Sequence, residues 1–62
     1  MTNNELITEE AVEVFGSEEK AHEWLFAYHK LLDEKPIDYS NSQEGFLIVM
    51  QILNSVKYGG VA

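Results

Sequence analysis

Glu19-Lys20-Ala21-His22 has the Glu-x-x-His spacing that sets a carboxylate and an imidazole one helical turn apart, as in di-metal helix bundles. Such a site needs a second copy of the motif and further inward carboxylates, and the chain has no second copy. His22 and His29 stand seven positions apart and would share a helix face, but two imidazoles fall short of a full ligand set. Ser17, Ser40, Ser42 and Ser55 are candidate nucleophiles. A serine is activated only by an adjacent base that a third group orients, and Ser17 and Ser42 are better explained as helix caps. Gly59-Gly60 lacks the Lys-Ser/Thr and the following helix of a phosphate loop. A chain of 62 residues also leaves little room for a concave pocket of about 300 Å³ or more. No catalytic residue, metal ligand or cofactor is expected, and the reading is a non-enzyme.

The elements that hold these residues read as helices. Thr8 would cap a first helix, with Glu9 and Glu10 at its positive end and Ile7, Ala11, Val14 and Phe15 at helical spacing. Residues 1–7 then form a flexible polar lead-in. Gly16 stops the first helix and Ser17 caps the second. Ala21, Trp24, Leu25 and Tyr28 follow at i, i+3, i+4 and i+7, an amphipathic stripe in which Trp24 belongs to the core. Phe26 lies about 200° around that helix from Trp24, at about 100° per residue, and points away from the stripe as a candidate interface residue. Pro36 suits the first position of a single-turn helix, Pro36–Tyr39. Ser42 caps the last helix. Its apolar residues Phe46, Leu47, Ile48, Val49, Met50, Ile52, Leu53 and Val56 cover more than half its circumference, which predicts burial on several sides. A buried strand is the rival for residues 46–53, but the periodic run of about 14 residues favours helix. The fold class is all-α: a small bundle of about four helices, two short, one single-turn and one longer and buried at the C-terminus.

Composition narrows the function. Eleven acids against four lysines and no arginine give a formal charge of −7. A nucleic-acid backbone would repel such a chain, and a basic partner would attract it. There is no cysteine, which excludes disulfides and fits a reducing cytosol. The N-terminus lacks the basic and apolar regions of a signal peptide, and the longest purely apolar run, residues 46–50, is far short of the ~20 that span a bilayer. A cytoplasmic protein with no membrane contact is expected. A domain this small buries only about 60% of its unfolded surface, so self-association or a partner is the expected extra support.

One order of motifs runs through the chain. Ala11-x-x-Val14-Phe15-Gly16 precedes Ala21-x-x-Trp24-Leu25; then come Pro36, Glu44-Gly45 with Val49 and Leu53, and Tyr58-Gly59. In this order, over residues 8–62, the sequence resembles the toxin-binding domain of the Xre/MbcA/ParS antitoxin family. The resemblance implies a compact helical domain at residues 8–62 and a protein partner, a RES-domain toxin that consumes NAD. It also implies inhibition by contact, with the C-terminal end in the toxin's active-site cleft: here Lys57, Tyr58, Gly59, Gly60, Val61 and Ala62. From composition alone that end reads equally as a helix stop and as a flexible tail. Members of the family usually carry an N-terminal helix-turn-helix; with about seven residues before the first expected helix, DNA binding is not expected here. Residues 26–30 replace the family's usual Asn- or Pro-containing turn, so a longer second helix is expected.

Two other functions fit the residues. Glu9, Glu10, Glu13, Glu18, Glu19 and Glu23 would let a small acidic inhibitor of the phage or mobile-element kind mimic phosphates, with steep salt sensitivity. The surplus apolar surface of the last helix would suit a structural homodimer.

Overall fold

Thr2 opens the chain's first helix with a capping box. Its hydroxyl accepts from the Glu5 N–H at 3.1 Å, and its own N–H donates to Glu5 Oε1 at 2.9 Å. The computed structural model describes residues 2–59, and four helices follow in order: α1 (Asn3–Phe15), α2 (Glu18–Phe26), α3 (Pro36–Tyr39) and α4 (Gln43–Lys57). The described residues contain no strand, so the protein is an all-α small bundle. None of these helices is long and apolar enough to cross a membrane.

α1 starts well before the Thr8 cap that the sequence suggested. Thr8 lies inside the helix, its hydroxyl donating to the Asn4 carbonyl at 2.7 Å. Residues 2–7, expected as a loose lead-in, form the cap and first turns, and Ile7 is fully buried.

The corner between α1 and α2 follows the sequence signals. Gly16 ends α1 in the left-handed region at φ 83°, and its N–H reaches the Val12 carbonyl at 2.8 Å. Ser17 caps α2 by accepting from the Lys20 N–H at 3.1 Å.

α2 stops at Phe26, so it is not longer than nine residues and Tyr28 is not part of its stripe. Ala27 is extended, and the chain then doubles back, with the His29 N–H on the Glu34 carbonyl at 3.1 Å. Two contacts make that reversal worthwhile. Leu32 enters the core, and the exposed Tyr28 hydroxyl donates to the Asp33 carboxylate, a bond that raises the Tyr28 pKa. Asp33 carries the turn at φ 57°, a left-handed conformation that Asp tolerates better than most residues. Leu31, at the tip, is left exposed.

α3 is the single turn expected after Pro36. Ser40 follows it, fully buried; its hydroxyl donates to the Ile37 carbonyl at 3.0 Å and its carbonyl accepts from Asn3 Nδ2 at 3.2 Å. Ser42 then caps α4 through the Gly45 N–H at 3.0 Å. Gly45 is glycine for a steric reason, because a Cβ there would overlap the Tyr39 carbonyl oxygen.

The core is Ile7, Ala11, Ala21, Leu25, Leu32, Ile37, Val49 and Leu53. α1 packs on α2 on one side and α4 on the other, while α3 closes the bundle against all three. α4 therefore has fewer neighbours than its apolar content suggested. Only Gly45, Val49 and Leu53 are fully enclosed, and Leu47, Ile48 and Val56 are exposed. Trp24 sits at the rim of the core rather than inside it, half-buried between Phe15 and His29 with ring centroids 5.8 and 5.7 Å away.

Candidate functional site

The end of α4 is held to α1 by one ion pair. Lys57, the last residue of α4, places Nζ 3.2 Å from Oε1 of Glu13 in the last turn of α1. The hydrogen bond to Glu13 and the attraction of its charge raise the Lys57 pKa. The ammonium also lies at the negative end of the α4 dipole, where a cation is favoured.

Beyond Lys57 the backbone leaves the helix. The Tyr58 N–H still reaches the Asn54 carbonyl at 3.1 Å, and the Gly59 N–H reaches Val56 at 3.2 Å. Gly59 then turns left-handed at φ 92°. The Tyr58 side chain is 80% exposed, with the Lys57 ammonium 5.9 Å from its ring centre. Its phenol, a donor and an acceptor, has no hydrogen bond to the described residues. Of the six C-terminal residues singled out from the sequence, Lys57 thus belongs to the helix, and Tyr58 and Gly59 to the exit from it. Gly60, Val61 and Ala62 lie outside the described residues.

The other residues singled out serve the fold. Phe15 and Trp24 stack at a tilt, Gly16 makes the first corner, Leu25 is fully buried, and Pro36 starts α3. Glu44 is exposed in the first turn of α4, and Gly45 permits the close approach of Tyr39. Phe26 is 53% exposed at the end of α2, edge-on to His22 at 5.9 Å. His22 and His29 do not share a helix face, since His29 lies beyond α2. The buried His29 Nδ1 has no hydrogen-bond partner among the described residues. Among the described residues no group of three or more His, Cys, Asp or Glu side chains could hold a metal ion.

Sequence reasoning missed the Glu13–Lys57 pair. A separation of 44 positions carries no local signal: Glu13 read only as one of six acidic side chains and Lys57 as the start of the C-terminal end.

The family model of the antitoxin Xre/MbcA/ParS C-terminal toxin-binding domain matches residues 10–59. No curated protein and no solved structure matches the chain. The chain belongs to this antitoxin toxin-binding domain family, and a cognate toxin is the partner that membership implies.

Proposed function

We propose that this antitoxin domain neutralises a RES-domain, NAD-consuming toxin by laying residues 57–62 in its active-site cleft. The observation that carries this reading is the build of the α4 end. Lys57 lies against Glu13 where α4 ends, and the next side chain, Tyr58, is 80% exposed and has no hydrogen bond to the described residues. An exposed tyrosine is a good anchor, because it brings large contact area at small entropic cost. Occlusion needs shape and a few hydrogen bonds, with no chemistry from the antitoxin. The charge of −7 supports the same reading, since a cleft that binds the phosphates of NAD is basic and an acidic partner is drawn to it.

The test is co-expression with a candidate RES-domain toxin. The full chain should restore growth and cellular NAD, and a chain lacking residues 59–62 should not.

A homodimer is a second reading, favoured by the exposed Leu47, Ile48 and Val56 on α4. A second copy packed on this flank would supply the burial that the monomer leaves undone. It is compatible with toxin binding, and light scattering at micromolar concentration decides it.

A further inference from the structure

α1 and α2 do not close on each other completely. Along α1 lies an open cleft of two parts: about 340 Å³ between α1 and α2 beside Val12, Glu18 and His22, and about 530 Å³ beside Phe26 at the end of α2 and Ile37 and Asp38 of α3. Thr8 and Glu9 border both parts, so the two lie side by side along α1. This is more concave space than the chain's length suggested. On the α2 side Glu18, His22 and Phe26 recur at i, i+4 and i+8, so they form one straight wall. The edge-on contact with His22 sets the Phe26 ring against that wall.

The lining has a definite chemistry. Val12, Phe26 and Ile37 provide apolar surface, and Glu5, Glu9, Glu18 and Asp38 provide carboxylates; no lysine lines either part. Glu5 is occupied by the Thr2 cap, whereas Glu9, Glu18 and Asp38 make no ion pair with the described residues. Among the described residues no side chain of α4 lines either part.

We propose that this cleft is a second protein-binding surface and that its occupant is a basic amphipathic helix of a partner protein. A groove between two helices takes a third helix by its apolar face, with anchors at i and i+3 or i+4. One large apolar side chain would lie against Phe26 and Val12. Lysines or arginines flanking it would meet Glu9, Glu18 and Asp38, whose charges have no counter-ion among the described residues. Nucleic acid is repelled by the same carboxylates.

The test uses a synthetic amphipathic helical peptide of Leu and Lys, with its Leu and Glu counterpart, titrated into ¹⁵N-labelled chain at physiological salt. No toxin is present, so the outcome is separate from the tail mechanism. The Lys peptide should shift the amides of Thr8, Glu9, Val12, His22 and Phe26, and the Glu peptide should not. Phe26→Ala and the pair Glu9→Lys with Glu18→Lys should each weaken binding at least tenfold. The pair Glu19→Lys with Glu23→Lys, the same change of charge on α2 outside the cleft, should weaken it less than threefold. All these positions are partly or fully exposed, and circular dichroism confirms that each variant is folded. Shifts spread over every acidic face, or equal weakening by the Glu19→Lys and Glu23→Lys pair, would mean that only net charge attracts the peptide and would overturn the proposal.

Discussion

The carboxylate of Glu13 and the ammonium of Lys57 meet at 3.2 Å across 44 positions of sequence, joining the last turn of α1 to the last turn of α4. The contact closes the bundle at the point where the chain departs toward the residues proposed to enter the toxin.

The pair makes a prediction about pH. The folded pKa of Lys57 is raised, so its contribution to stability is fully present below the unfolded lysine value of about 10.5 and is lost as pH rises through the folded value. Unfolding midpoints of wild type and Lys57→Met should differ by a constant amount at neutral pH and converge above that value. Because the pair is exposed, the neutral-pH difference should also shrink in 1 M salt. A difference that persists at high pH would mean that Lys57 acts through its hydrocarbon stem alone.

Thr2 and Thr8 should separate cleanly in urea denaturation. Thr2→Ala removes the capping box and should cost about 1 kcal/mol. Thr8→Ala changes a mid-helix position and should stay within about 0.5 kcal/mol of wild type.

Gly45→Ala tests the close approach of α3 to α4. The new methyl would overlap the Tyr39 carbonyl, so either the α3 turn or the start of α4 must move. A loss of about 1–3 kcal/mol is expected, the range for forced overpacking. Equal stability in the two proteins would show that the approach relaxes freely.

Tyr58→Ala should leave the unfolding midpoint unchanged, because the ring is exposed and hydrogen-bonded to nothing described. If Tyr58 anchors the proposed tail, the same change should weaken toxin binding at least tenfold in calorimetry, as truncation of an interface tyrosine does.

Signals confined to a few residues were legible in the sequence. Gly16, Ser17, Pro36 and Ser42 each act on the adjoining backbone, and the structure places a helix end or start at each. The Thr2-x-x-Glu5 capping box is equally local, but it precedes Asn3-Asn4, which are weak helix formers, so Thr8 read as the better start. The end of α2 had no such marker. Ala27 and Tyr28 are tolerable in a helix, and the break follows from the burial of Leu32 and the turn at Asp33, both tertiary effects. The apolar residues of α4 were legible as a helix but not as a half-covered one. Which of them are enclosed depends on neighbours, and only α1 and α3 pack there. At the candidate site, the motif order pointed to the C-terminal residues, while the contact of Lys57 with Glu13 is long-range and left no pattern.

The central claim is that the C-terminal residues block the toxin. The most direct measurement titrates purified RES-domain toxin with the full chain and with a chain lacking residues 59–62, reading NAD consumption and, separately, binding. The account predicts that the full chain abolishes NAD consumption at stoichiometric ratio, while the truncated chain, still helical by circular dichroism, leaves most of it intact. Full inhibition and unchanged affinity with the truncated chain would contradict it.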